Sequence, residues 1–305
     1  MKKFMCVVLA VTLLIFSGCA GNTPETQENE ITVAASFYPV YIFTLNLLNG
    51  IEEINVECMA EQSVGCLHDY TLTARDARLL SDADVFVING AGMETFLEDL
   101  QETVENLPVI DSSVGVELLC GHSHEHEGES QHSHNHQNNS HIWMSVDNAK
   151  KQVLNIKDGL VENFPQYKSE ISANCEVYLE KLSVLANEMQ TTDESLKDRN
   201  VITFHGAYEY MAEDMGFNVV ATIESDEGGE PSAKELAHLC GEIEENGVKA
   251  LFVEPHYDGN AAQVLSNETG VKIYVLNPVI SGEKSLTAYE DIMRQNIEVI
   301  KKAVS

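Results

Sequence analysis

Positive charge is scarce in this chain of 305 residues: 18 Lys and Arg stand against 49 Asp and Glu, a formal net charge of −31. A chain this acidic does not bind nucleic acid or an anionic bilayer by charge. Cysteine is present but unorganised. Beyond Cys19 come Cys58, Cys66, Cys120, Cys175 and Cys240, scattered, odd in number and without CxxC spacing. That argues against a disulfide scaffold or a Cys-type zinc finger. No HExxH, GxSxG or Walker A stretch occurs, so hydrolase and nucleotide chemistry find no support. The N-terminal apolar run, Val7 to Phe16, is too short to span a bilayer as a mature helix.

What stands out instead is histidine. Gly121 to Ser140 reads GHSHEHEGESQHSHNHQNNS, and His141 follows at once. The tract holds His122, His124, His126, His132, His134 and His136, out of 11 histidines in the chain. Imidazole is a borderline-soft donor that suits zinc, copper and nickel. Alternation with Ser, Glu, Asn and Gln leaves no apolar face to bury, so a polar loop is expected. Adjacent His-X-His pairs supply two nitrogens at a time, but a loop loses conformational entropy when it closes on a metal. Residues 122–136 are therefore expected to contact metal, and the tract alone leaves open whether it is the principal site or an accessory to one.

The N-terminus has the pattern of a secretory signal peptide. Lys2 and Lys3 precede the apolar run, which ends in Phe16-Ser17-Gly18-Cys19. Small residues just before a Cys resemble the bacterial lipobox, in which the Cys thiol is lipidated. The expected division is a signal peptide at 1–18 and a lipidated tether at 19–30, polar and patternless. Losing residues 1–18 removes two lysines and no acid, so the remainder is more acidic still.

Periodicity predicts an α/β protein in two halves. In the first, 31–146, strand-like runs at Ile31–Phe37, Asn55–Met59, Val85–Asn89 and Pro108–Asp111 alternate with helical spacing at Val40–Leu48 and Thr73–Leu80. In the second, 198–305, strands at 201–204, 219–223, 249–253 and 272–276 alternate with helices at 207–215, 231–247, 260–269 and 287–304. Alternation of this kind predicts mostly parallel sheets covered on both faces. Pro231 is expected to open one helix, and Gly216 and Gly270 to close two others. Between the halves, 147–197 reads as a helical connector with Asp147 as its N-cap and Pro165 as an interruption.

Three histidines lie outside the tract in suggestive settings: His68 in CLHDYTLTARDARLL, His141 in SHIWMSVDNAK, and His205 in VITFHGAYEYMAEDMGF. His205 ends a strand, the position at which open α/β sheets bind ligands. Their spacing alone does not prove convergence.

The ordered set HDYTLTARDARLLSDADVFVINGAGMETFLE, HIWMSVDNAK, FHGAYEYMAEDMGF, EGGEPSAKEL and ALFVEPHYDGNAAQVLSNETGVKIYVLNP resembles the solute-binding proteins that deliver zinc or manganese to ABC importers, and among them the zinc-binding members. The resemblance runs from about Ile31 to the C-terminus. It implies two α/β lobes joined by a long helix, with the metal in the cleft between them. It also implies that His68 and His141 come from the first lobe and His205 from the second. Manganese-type relatives usually offer a carboxylate at the third position, so His205 favours Zn²⁺, as softer ligand chemistry predicts. Family members often carry Asp where this chain has Asn277. The fourth ligand is then water, Asn277, or a neighbour such as Glu254 or His256. The expected function is extracytoplasmic, lipid-anchored capture of zinc for a membrane permease, without enzymatic activity. Affinity is expected to fall as pH drops through the histidine range. The other readings are a manganese or iron receptor of the same fold, a metal-binding surface adhesin, and, with least support, a zinc-dependent hydrolase.

Overall fold

Short runs of β-branched and aromatic residues form the strands, and their order explains where the histidines fall. The structure, a computed structural model, describes residues 31–60, 67, 70–97, 106–120, 138–190, 196–223, 231–257 and 259–304. In the first sheet β1 (Ile31–Ala35), β2 (Ile54–Cys58), β3 (Val85–Ile88) and β4 (Val109–Asp111) are all parallel, in the order β2-β1-β3-β4. The second sheet repeats that order with β5 (Asn200–Thr203), β6 (Asn218–Thr222), β7 (Ala250–Val253) and β8 (Lys272–Val275), running β6-β5-β7-β8. The predicted α/β class with two parallel sheets is what the chain adopts.

Parallel strands are buried on both faces, and β3 (VFVI) and β7 (ALFV) accordingly read as unbroken apolar runs, buried at every position. Within β7 the faces still alternate. Ala250 and Phe252 join a large core that also contains Val33, Phe86 and Trp143 of the first half. Leu251 and Val253 join a smaller core with Ile202 and Leu265 on the opposite face. The two halves thus share one continuous apolar core.

Helices follow the predicted rhythm. α1 (Tyr38–Leu47) carries Pro39 in its first turn and is almost wholly buried. α2 (Ala74–Asp82) is opened by a reciprocal capping box between Thr73 and Asp76. In the second half come α5 (Glu209–Met215), α6 (Ala233–Asn246), α7 (Ala261–Thr269) and α8 (Ala288–Val304). Gly216 and Gly270 close α5 and α7 at φ of 81° and 77°, a left-handed conformation that glycine adopts without a Cβ penalty.

Two expectations at helix starts are corrected. Pro231 does not open α6. Ser232 is its N-cap, accepting from Glu235 N–H, while the Glu235 carboxylate accepts Ser232 N–H at 2.6 Å. Nor does Asp147 cap the first connector helix. Ser145 does so, accepting Asn148 N–H at 3.3 Å, and Asp147 in the first turn pairs with Lys150 at 2.5 Å. A carboxylate in the first turn still complements the helix dipole from there.

The stretch between the halves holds two helices, α3 (Val146–Asn163) and α4 (Lys168–Gln190), separated by a short 3-10 turn at Pro165–Tyr167. α3 lies on the first sheet, where a Cβ at Gly159 would stand 2.7 Å from the Ile110 side chain, so only glycine allows that approach. The 23-residue α4 is the long helix. Its buried face, Ile171, Cys175, Tyr178, Leu182, Leu185 and Met189, matches the apolar spacing of the sequence.

Candidate metal centre

The carboxyl ends of the strands in both sheets carry the polar side chains. β5 and β7 are neighbours, so the residues just beyond their ends meet: the His205 ring Nδ1 contacts the Glu254 carboxylate. A carboxylate accepts, so Nδ1 carries the proton and the lone pair sits on Nε2. A histidine oriented by a carboxylate through its distal nitrogen is the usual outer support of a metal ligand. Glu254, expected as a neighbour of interest, is thus the partner of His205.

His141 is built differently. It starts the 3-10 turn Ile142–Met144 and is 5% exposed. The residues beyond the strands of the first sheet hold its segment. Asn89, after β3, donates from Nδ2 to the carbonyl of Ser140 at 3.0 Å. Gln152 donates to Asn89 Oδ1 and to Ser112 Oγ, both at 2.9 Å. Below them Glu94 accepts from Ser36 Oγ, Asn89 N–H and Gly90 N–H at 2.7, 2.7 and 3.0 Å. Burial pushes the Glu94 carboxyl up to about 7, against the pull of those hydrogen bonds. Trp143 then enters the other half, its indole N–H donating to Pro278 O at 2.8 Å and its carbonyl accepting from Tyr289 at 2.7 Å.

The two histidines meet edge to face, with ring centroids 4.6 Å apart and planes at 88°. Asn139 lies between their segments. Its Oδ1 accepts from His141 N–H at 3.0 Å and contacts His141 Nδ1 at 2.9 Å, while its Nδ2 donates to Gly206 O at 2.8 Å and to Glu209 Oε2 at 2.9 Å.

Of the expected site residues the structure therefore brings His141 and His205 together. His68 and Cys66 lie outside the described residues, as do Cys19 and the six histidines of the tract. Among the described residues no group of three His, Cys, Asp or Glu side chains converges to hold a metal. Asn277 shares a recess of about 70 Å³ with Glu254 and His256. Its Oδ1 accepts Val279 N–H at 2.8 Å, and its N–H donates to Asn296 Oδ1 at 2.9 Å. That side-chain oxygen already closes a turn around Val279, which is buried at φ of 60°, a strained conformation for a β-branched residue. The ends of the tract are visible: Cys120 and Asn138 pair as an isolated antiparallel bridge, and Asn139 N–H donates to Leu119 O at 2.8 Å.

Two imidazoles from two lobes, each with its Nδ1 turned to an acceptor, form a nitrogen-donor pair suited to a borderline-soft dication. Residues 33–303 match the family model described as zinc-uptake complex component A, periplasmic. The chain belongs to that family. It is 30% identical to the high-affinity zinc uptake system protein ZnuA of Bacillus subtilis, over 97% of this chain and 96% of the relative. It is 29% identical to the zinc-binding protein AdcA of Streptococcus pyogenes over 99% of this chain, but spans only 61% of that longer protein. Among solved structures it is similar to the Zn(II)-bound ZnuA-like domain of Streptococcus pneumoniae AdcA, at 29% identity and a TM-score of 0.75, covering 90% of this chain and 99% of that one. These relatives are named for zinc binding and zinc uptake.

Sequence reasoning did not single out Asn139, Glu209 or Tyr210. One signal was available: Asn two residues before His141 is the spacing at which an Asn side chain accepts a backbone N–H and closes a turn.

Proposed function

We propose that this chain is an extracytoplasmic Zn²⁺ receptor that passes its ion to an ABC-type permease in the membrane. The observation that carries the reading is the edge-to-face meeting of His141 and His205, each held through Nδ1 so that Nε2 bears the lone pair. On this reading zinc is the cargo. His68 supplies a third nitrogen, and water or a neighbouring oxygen completes four-coordination. With Asn277 Oδ1 engaged by Val279 N–H, water is favoured over Asn277 as the fourth ligand. The halves 31–146 and 198–305 act as the two lobes around the ion.

Zinc binding and uptake by the named relatives support this reading, and so does the match to the zinc-uptake family. Anchoring through a lipidated Cys19 agrees with a relative from Streptococcus pneumoniae described as a zinc-binding lipoprotein. The carrier reading, rather than an enzymatic one, is supported by relatives named for zinc binding and zinc uptake.

Elemental analysis of the purified protein, with crystallography at the zinc edge, tests the cargo. One zinc per chain between His68, His141 and His205 is expected. A protein that prefers manganese in metal competition, or that places zinc elsewhere, overturns the reading. Intact mass of the exported form without added lipid would remove the anchor and leave the receptor reading standing.

A further inference from the structure

We propose that Asn139 is the positioning residue of this site: one amide sets the tautomer of His141 and ties it to the segment that carries His205. The inference rests on the reading of His141 and His205 as zinc ligands and extends it to the residue that coordinates their placement.

The orientation of the amide is fixed by its surroundings. Nδ2 faces the carbonyl of Gly206 at 2.8 Å and Glu209 Oε2 at 2.9 Å. A carbonyl only accepts, so the NH₂ group must point there. Oδ1 therefore faces His141, whose backbone N–H it accepts at 3.0 Å. The ring nitrogen 2.9 Å from the same oxygen must then be an N–H, because two acceptors do not bond. Nδ1 holds the proton and Nε2 the lone pair before any metal arrives. Gly206 directly follows His205, so a single side chain connects the His141 ring to the backbone beside the other imidazole.

The main chain of Asn139 completes the tie. Its carbonyl accepts from Tyr210 Oη at 2.7 Å, and the same Oη accepts Leu119 N–H at 3.1 Å. Asn139 is 7% exposed, so every one of these groups would be costly to leave unpaired. The chemistry requires an amide here. Aspartate would keep the acceptor for His141 but would face Glu209 with a second carboxylate at hydrogen-bond distance and leave the Gly206 carbonyl without its donor. Leucine, of similar size, would remove both functions.

The variants separate these roles. In metal-free wild-type protein, long-range ¹H–¹⁵N correlation spectra of neutral His141 are expected to show the Nδ1–H tautomer. Asn139→Leu is expected to lose that preference and to release zinc to a chelator roughly tenfold to hundredfold faster in stopped flow, the range for losing an outer-shell partner. Asn139→Asp is expected to keep the tautomer yet release zinc faster. Asn139→Asp with Glu209→Gln is expected to recover part of that loss, since the amide introduced at position 209 can donate to the carboxylate introduced at position 139. A folded Asn139→Leu that keeps the Nδ1–H form, or wild-type zinc release in Asn139→Asp, overturns the proposal. If Asn139→Leu does not fold, Asn139→Asp and the double variant decide it. A tight zinc site surviving His141→Ala would instead defeat the ligand assignment, and the metal-free tautomer measurement would be unaffected.

Discussion

His141 and His205 face each other but are held by opposite means. His141 is buried, braced by a neutral amide and by a hydrogen-bond network that descends through Asn89 to Glu94. His205 stands partly buried at a strand end, with its Nδ1 against a partly exposed carboxylate, Glu254. One imidazole is preset by packing and the other by charge. The Asn139 amide at His141 carries no charge, whereas Glu254 brings a negative charge to His205 that would help offset a bound dication. A site divided in this way can be rigid on one wall and electrostatically attractive on the other.

The largest expected effect is loss of either ring. His141→Ala and His205→Ala should each weaken zinc binding, measured by competition with a chromophoric chelator, by more than the roughly tenfold to hundredfold of an outer-shell loss. The comparison is sharpened by heat: His141→Ala should also lower the melting temperature of the metal-free protein, since it empties a buried position and removes the ring hydrogen bond to Asn139 Oδ1. His205→Ala should leave it nearly unchanged. Equal thermal losses would erase the distinction between the two walls.

Next comes the brace under His141. Burial holds the Glu94 carboxyl at about 7, against 4.5 for the free group, so the folded state keeps a proton that the unfolded chain has released. This contribution is complete below about pH 4.5 and is lost as pH rises through about 7, amounting to about 3 kcal/mol. Asp214, raised to about 6 mainly by burial, adds a smaller decline of the same sign. Urea unfolding of metal-free protein from pH 4.5 to 8 should therefore show falling stability, and Glu94→Gln should retain only the shallower part. Identical slopes in the two proteins would rule out Glu94 as the source.

A smaller change is expected on the charged wall. Glu254→Ala should cost about tenfold to hundredfold in zinc affinity, and Glu254→Gln less, because an amide oxygen can still accept from Nδ1. Wild-type affinity in Glu254→Ala would mean that His205 needs no carboxylate. The smallest effect belongs to the tract: deleting 122–136 should leave one tight zinc site in calorimetry and remove only weaker ones. Loss of the tight site from a protein with an unchanged circular dichroism spectrum would transfer the principal site to the tract.

Much of the fold was legible because burial imprints period. β3 and β7 announce themselves as apolar runs, and α4 by its stripe from Ile171 to Met189. Helix starts were less legible at Asp147 and Pro231, where a neighbouring serine wins because its hydroxyl reaches a backbone N–H in the required geometry. Within the site, His205 and His141 could be picked out as candidates by strand position and family resemblance. Asn139 could not, because its importance lies in partners far along the chain, Gly206 and Glu209, that no local pattern names. The turn it closes is nonetheless spelled in the sequence, as is the matching turn from Asn277 to Val279.

The pairing of Cys120 with Asn138 gives the chain one further property. It brings the two described positions that flank residues 121–137 side by side. The entropy of closing a loop grows only logarithmically, about 0.6 kcal/mol for each doubling of its length. By that measure, changing the number of residues between Cys120 and Asn138 is expected to cost the fold little. Asn139, next to the bridge, is tied instead to Gly206 and Glu209 far along the chain, so a change there is felt on both sides of the histidine pair.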